Sequence, residues 1–191
     1  MGFNKVGSDY WKTARPSCNC GSYALNLDDW FLPYDSSDDR DDFIADQRDK
    51  GYSCQEIYDM LLDYDGANIV EADPSLVSIT AAEYEQLPLN VEVIAYRVGI
   101  NNFDDDWEYP DDDFHFRVRR GGIWYEKTGI YDPQKCDEQD VFAPWVVKDE
   151  WIDMNGNHID EYEDEDDYFF YDSDMLLFIH KFDLRYLEND T

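Results

Sequence analysis

Positive charge is scarce in this chain. Its 191 residues include 46 aspartates and glutamates but 15 lysines and arginines, which gives a formal net charge of -31. Such a surface repels nucleic-acid phosphates, because proteins bind them mainly through lysine and arginine. We therefore expect no direct nucleic-acid binding. A basic partner, imitation of a nucleic acid, adaptation to high salt and a merely solubilising surface all remain compatible with the charge.

Long apolar runs are also missing. No window approaches the roughly 18 consecutive apolar residues of a membrane-spanning helix, and no basic segment followed by an apolar run suggests a secretory signal. We therefore expect a cytoplasmic protein, in the host cytoplasm if it is viral, with no membrane partner.

Cysteines are few and do not form a known metal pattern. Cys18 and Cys20 make a C-x-C pair, which is not the C-x-x-C spacing of common zinc and redox sites, and Cys54 and Cys136 lie far downstream. A chain of this size needs no disulfides. We expect free thiols, with no metal and no other cofactor.

Aromatic side chains, in contrast, are abundant. They make up 17% of the chain and hydrophobic residues 43%, whereas disordered sequences contain few aromatics. The length is enough for one domain with a sizeable core. We therefore treat residues 1–191 as a single domain.

The first third of the chain has helical patterns. Apolar residues recur at helical spacing after Asn19, which predicts a helix from about Cys20 to Leu32 with Trp30 or Phe31 on its buried face. The stretch DSSDDRDDFIADQRDKG predicts a second helix. A third follows in SCQEIYDMLLDYDG, which begins with the Ser-x-x-Glu pattern of a capping box.

Strand-like patterns follow. NVEVIAYRVG alternates, and DFHFRVRRGGIWYEKTG contains two strand-like runs joined by Gly121 and Gly122, a pair suited to the positive φ angles of a tight hairpin turn. MLLFIHKF predicts a final buried strand. Helices followed by an antiparallel sheet predict an α+β fold. The acidic runs DSSDDRDD, DDDWEYPDDD and DEYEDEDD are expected in solvated connections.

Cys20 and His115 are the candidates for chemistry. A helix N-terminus lowers the pKa of a thiol, because its dipole stabilises the reactive thiolate. An imidazole nearby would complete an ion pair. The alternatives are a small core cysteine and an ordinary strand histidine, and spacing alone favours these alternatives.

The segments NCGSYALN and DFHFRVRRGGIWYEKTG, in this order, resemble the signature of a family of small papain-like cysteine peptidases of bacteria and phages. The first block matches at Asn19, Cys20, Tyr23, Ala24, Leu25 and Asn26, and the second at Asp113, His115, Trp124, Lys127 and Gly129. The resemblance implies a papain-like or NlpC/P60-like fold, with N-terminal helices packed on an antiparallel β-sheet. It also implies a nucleophilic Cys20 and a basic His115. The backbone N–H of Cys20 and a side chain would stabilise the oxyanion, and Asn19 is the adjacent candidate for that side chain.

Glu126 occupies the position of the family's second histidine. If the glycine pair closes a two-residue turn, Arg117 pairs with Glu126, which then lies diagonal to His115 on one face of the sheet. A carboxylate there could hold the imidazole in one tautomer, as the third residue of a catalytic triad does. The alternative is a surface glutamate paired with Arg117.

Asp132 and Asp153 are the reserve candidates for the third residue. Asp153 also begins a 1, 3, 5 pattern with Asn155 and Asn157, as in a calcium loop. The pattern then fails, because His158 stands where the loop needs glycine. We expect no metal site here.

Two functional hypotheses result. The first is a cysteine hydrolase, that is, a peptidase, isopeptidase or amidase, with Cys20, His115 and Glu126 as catalytic residues. Its substrate would be a peptide or protein, and a basic protein is one of the options. The second is a non-enzymatic acidic interaction protein on the same scaffold, acting as a nucleic-acid mimic or as an inhibitor of a host or defence factor.

Overall fold

The computed structural model describes residues 18–27, 30–31, 37–100, 112–128, 133–148, 168–171 and 173–187. The helices are α1 (Cys20–Leu25), α2 (Ser37–Asp49), α3 (Cys54–Ala72), α4 (Ala81–Tyr84) and α5 (Glu138–Phe142). The strands are β1 (Leu76–Ile79), β2 (Val93–Ile100), β3 (Asp112–Arg120), β4 (Ile123–Glu126), β5 (Gln134–Cys136), β6 (Trp145–Lys148), β7 (Tyr168–Tyr171) and β8 (Leu176–His180). A 3₁₀ helix, η1 (Lys181–Tyr186), follows β8.

A six-stranded sheet organises the described residues. Its order is β1-β8-β2-β3-β4-β5, and every neighbouring pair is antiparallel. Strands β6 and β7 pair with each other in a separate antiparallel sheet. Together with the helices, this confirms the predicted α+β class.

Both faces of the large sheet are buried. Ile94 and Tyr96 of β2 belong to the core cluster that includes residues of α1 and α3. Val93 and Ala95, on the other face, belong to a second cluster with Trp145 of β6, Tyr171 of β7 and residues of α4 and α5. Helices α1 and α3 therefore cover one face of the sheet, and residues of α4, α5, β6 and β7 cover the other.

Helix α1 is shorter than predicted, so the expected end near Leu32 is wrong. Asn26 adopts a left-handed backbone conformation, with φ 58°, and its N–H donates to the Ser22 carbonyl. Asparagine tolerates this conformation and commonly ends helices. The chain then turns back, so that Phe31 is buried while Trp30 is 40% exposed.

Helices α2 and α3 confirm two further predictions. The capping box at the start of α3 is present, since Ser53 and Glu56 exchange hydrogen bonds between side chain and backbone. Ile44 of α2 packs on Ile57 and Leu61 of α3. Because α2 begins at Ser37, residues 37–42 of the first acidic run lie in a helix, and their predicted place in a connection is wrong.

The β3–β4 hairpin has the predicted geometry. Gly121 and Gly122 have φ angles of 60° and 78°, which is the combination a type I′ turn requires. Arg120 pairs with Ile123, and Arg117 with Glu126. The register that was expected to place Glu126 diagonal to His115 is therefore confirmed.

Several predictions fall outside the described residues. These include Asp132, the DMNGNHID segment with Asp153 and His158, and most of the second and all of the third acidic run. Cys136 is a free thiol as expected. None of the helices in the described ranges is both long enough and apolar enough to cross a membrane.

Candidate active site

Asn19 fixes the N-terminus of α1. Its Oδ1 accepts hydrogen bonds from the backbone N–H of Ser22 at 3.0 Å and from that of Phe31 at 3.2 Å. Its Nδ2 donates to the Phe31 carbonyl at 2.6 Å. The bond from Ser22 pairs one of the N–H groups that have no partner inside the first helical turn, and the two bonds with Phe31 join the helix to the chain that follows it. The side chain expected to help the oxyanion thus holds the start of the helix to the returning chain.

Gly21 allows this close packing. A Cβ at this position would lie 2.5 Å from Cδ1 of Phe31 and 2.9 Å from its Cβ. These distances are too short for carbon atoms that are not bonded to each other. Phe31 in turn meets the rings of Phe114 and Phe116 edge-on, with ring centroids 5.8 Å and 5.6 Å apart. The glycine after the cysteine is therefore required for docking α1 on β3.

Cys20 is the first residue of α1 and lies against the strand that carries His115. Its side chain is 7% exposed, and its Sγ lies 3.9 Å from the carbonyl oxygen of Phe114. The β4 ladder ends at the pair between Arg117 and Glu126, so the Phe114 carbonyl lies beyond that ladder. The thiol is thus held beside the peptide bond that joins Phe114 to His115.

His115 directs its ring to the other face of the sheet. Successive side chains of a strand alternate between faces, and Phe114 belongs to the cluster that contains Cys20. The His115 ring stacks on Tyr171 with centroids 5.3 Å apart and meets Trp145 edge-on at 5.8 Å. The imidazole is 3% exposed and held by these two rings.

Glu126 lies close to His115, as the register predicts. Its Oε2 is 3.7 Å from His115 Nε2, which is a charge contact longer than a hydrogen bond. Arg117 is nearer, since its Nε and Nη2 lie 2.9 Å and 2.8 Å from the same oxygen. Burial raises the pKa of the Glu126 carboxyl, but the His115 and Arg117 contacts outweigh it and the net pKa is lowered.

The structure thus brings two of the three predicted residues, His115 and Glu126, into contact and places the third, Cys20 of α1, against the backbone of the strand that carries His115. Glu126 faces His115, while Cys20 contacts the backbone just before His115 from the other side of the sheet. Asp132 and Asp153 lie outside the described residues. Within the described ranges, no group of three or more His, Cys, Asp and Glu side chains could hold a metal ion.

Sequence patterns did not indicate that cationic and aromatic side chains surround His115. Arg117 and Arg97 lie over the ring of Trp145, with Cζ 4.6 Å and 5.4 Å from its centroid. Both guanidinium groups are buried. For Arg117 the available signal was the run RVRR, a cluster of three arginines in a chain poor in positive charge.

Comparisons of the chain with protein-family models, with curated proteins and with solved structures found no match.

Gly21→Ala should destabilise the protein through Phe31. The added methyl group overlaps the ring, and overpacking of a core costs roughly 1–3 kcal/mol of the free energy of unfolding. The coupling free energy between positions 21 and 31 is measured by urea unfolding of four proteins: the parent, Gly21→Ala, Phe31→Ala and the double variant. We expect Gly21→Ala to cost less once Phe31 is alanine, because the contacts with Cδ1 and Cγ of the ring are removed while the contact with the Cβ at position 31 remains. An equal cost in both backgrounds would contradict the assigned contact.

Glu126→Gln should lower stability in a pH-dependent way. A carboxyl with a lowered pKa in the folded protein stabilises it above the ordinary value of 4.5 and loses that contribution as pH falls through the lowered value. The difference in free energy of unfolding between parent and variant should therefore be largest near neutral pH and should disappear in acid.

The matched control for net charge is Glu71→Gln, on the exposed face of α3. Urea unfolding at several pH values provides the measurement. If the effect of Glu126→Gln were the same at every pH, the contacts with Arg117 and His115 would not be what stabilises the charged form.

Proposed function

We propose that this protein is a papain-like cysteine hydrolase that cleaves a peptide or isopeptide amide. The observation that carries the proposal is the position of the Cys20 thiol, 3.9 Å from the carbonyl oxygen that precedes His115, together with the His115–Glu126 contact of 3.7 Å. A nucleophile, a base and an orienting carboxylate are the parts that covalent acyl transfer needs. The order of the two sequence blocks adds support.

The two ring nitrogens of His115 take different roles in this proposal. Nε2 points towards Glu126, and the carboxylate stabilises the imidazolium form. Nδ1 is the ring nitrogen closer to the backbone, beside which the Cys20 thiol lies. In the proposed mechanism Nδ1 takes the thiol proton, which requires the ring to leave the layer of Trp145 and Tyr171 and turn towards the face that carries Cys20.

The reaction follows from these roles. The Cys20 thiolate attacks the amide carbonyl carbon, and the backbone N–H of Cys20 donates to the oxyanion that forms. The C–N bond breaks as the His115 imidazolium gives its proton to the leaving amine. A water molecule, deprotonated by His115, then attacks the thioester, releases the carboxylic acid and restores the thiol.

Alkylation of Cys20 tests this assignment. In the parent, Cys20 should react quickly with iodoacetamide and remain reactive below neutral pH, because the thiolate is the reactive form. His115→Ala should shift the reaction to the pH range of an ordinary thiol and slow it at neutral pH at least about tenfold. Mass spectrometry of each cysteine-containing peptide gives the rates.

Cys136 is the reference inside the same molecule. Burial raises the pKa of its thiol to about 11, so it should react slowly at neutral pH in parent and variants alike. Cys18→Ser removes the neighbouring thiol without changing Cys20. A Cys20 that reacts as slowly as Cys136, or at a rate that His115→Ala leaves unchanged, would refute the hydrolase assignment.

The second candidate function is binding of a basic partner, and helix α3 favours it. Every charged side chain of this helix is acidic. Asp59, Asp63 and Glu71 are exposed, together with the ring of Tyr64. Such a face attracts lysine- and arginine-rich segments and speeds their association at low ionic strength. The two functions are compatible, since an acidic enzyme could dock on its substrate.

A charge-matched comparison tests this second function. The triple variant Asp59→Asn, Asp63→Asn, Glu71→Gln should bind a fluorescent lysine- and arginine-rich peptide at least about fivefold more weakly than the parent. The control neutralises as many exposed acids elsewhere, through Glu85→Gln, Asp137→Asn and Asp174→Asn. Equal losses in the two variants would show that net charge, and not the α3 face, attracts the peptide.

A further inference from the structure

We infer that Arg120 is a positioning residue for the Cys20 thiol, acting through the opposite end of helix α1. Its guanidinium group holds the C-terminus of the helix, and Cys20 is the first residue of the same helix. The inference rests on the proposed function, because a fixed thiol matters if Cys20 is the nucleophile. The clamp itself is a property of the fold and is testable separately.

Arg120 replaces hydrogen bonds that α1 lacks. The last carbonyls of a helix have no partner inside it. Here Nη2 of Arg120 donates to the carbonyls of Tyr23 at 2.9 Å and Ala24 at 3.2 Å, and to Oδ1 of Asn26 at 3.2 Å. The guanidinium also lies over the ring of Tyr23, with Cζ 4.8 Å from the centroid. One side chain thus contacts three residues of one helical end.

Glu92 fixes Arg120 in this position. The Nε of Arg120 donates to Glu92 Oε2 at 2.7 Å, and Asn26 Nδ2 donates to Oε1 of the same carboxylate at 3.4 Å. The arginine side chain is 11% exposed, so its geometry is constrained by packing as well as by charge. His180 approaches Glu92 from the other side, with Nε2 3.8 Å from Oε1. The clamp therefore joins α1 to β3, to β8 and to Glu92, the residue before β2.

The short length of α1 makes such a clamp necessary. The helix has six residues, and isolated helices of that length do not persist in water. Its position therefore depends on what holds its two ends. Asn19 holds the first end to Phe31, and Arg120 holds the last end to β3. The whole helix is about 9 Å long at 1.5 Å per residue, so a shift of its last turn moves its first turn with it.

The neighbouring arginines of β3 do not share this role. Arg117 and Arg119 lie on the opposite face, where Arg119 donates to the Pro88 carbonyl at 3.1 Å and lies over the ring of Tyr84. Arg119 is buried and has the same chemistry, but its contacts do not include α1. Arg119→Ala is therefore the matched control for the loss of a buried guanidinium group.

Two measurements on the full chain test the inference. The first is amide hydrogen exchange of the peptide that contains α1, in the parent, Arg120→Ala, Arg120→Lys and Arg119→Ala. We expect exchange in α1 to become about tenfold faster or more in Arg120→Ala, less so in Arg120→Lys, and to stay near the parent rate in Arg119→Ala. The second is the pH profile of iodoacetamide alkylation at Cys20, with Cys136 as the internal reference.

The expected result is faster exchange in α1 together with loss of the activated alkylation profile of Cys20, at an unchanged rate for Cys136. Unchanged exchange in Arg120→Ala overturns the clamp. Faster exchange with an intact alkylation profile overturns the positioning role. If parent Cys20 is not activated but α1 still loosens, the clamp stands and the hydrolase proposal fails. Should Arg120→Ala not fold, Glu92→Gln, which weakens the hold on Arg120, gives the same readouts.

Discussion

The alternation of side chains along strand β3 determines the rest of the candidate site. Phe114 and Phe116 face α1 and receive Phe31 of the returning chain, while His115 and Arg117 face the layer that contains Trp145 and Tyr171. Because a shift of one residue would exchange the two sets, the hairpin turn that sets this register also sets the site. The thiol and the imidazole thus lie on opposite sides of one strand.

Buried arginines connect this strand and its neighbour to distant parts of the chain. Four guanidinium groups each donate to a main-chain carbonyl: Arg97 to that of Ser173, Arg117 to that of Asp140, Arg119 to that of Pro88 and Arg120 to that of Tyr23. Each bond joins the central sheet to a segment far away in sequence. Hydrogen bonds from a charged donor are stronger than neutral ones, and a guanidinium offers several in fixed directions. The scarce positive charge of the chain therefore serves to hold its connections.

Much of the local structure was predictable from the sequence, because it depends on neighbouring residues. The Ser53–Glu56 capping box and the glycine hairpin require a few residues at fixed spacing, and both occur as predicted. The register of Arg117 and Glu126 followed from the hairpin. The end of α1 was not predictable in this way. The left-handed conformation of Asn26 and the contact of Phe31 with Asn19 determine where the helix ends, whereas the apolar residues that follow at helical spacing suggested a longer helix.

The candidate site was predictable in part for the same reason. The contact between Glu126 and His115 follows from pairing within one hairpin. The contact of Cys20 with β3, in contrast, joins residues that are 94 positions apart in the sequence. Helix spacing and strand alternation say nothing about which faces of distant elements meet. The docking depends on Gly21 and Phe31 fitting against Phe114, a matter of shape that no periodic pattern contains.

The position of the arginines also changes what the net charge means for function. The surface is more acidic than the composition implies, because several of the few cations are buried, while the charged side chains exposed on faces such as that of α3 are all acidic. A negative field of this kind slows the approach of anionic molecules and concentrates cationic ones. If the thiol acts on proteins, the substrates that reach it most readily are basic, so the acidic surface selects the substrate before the active site does.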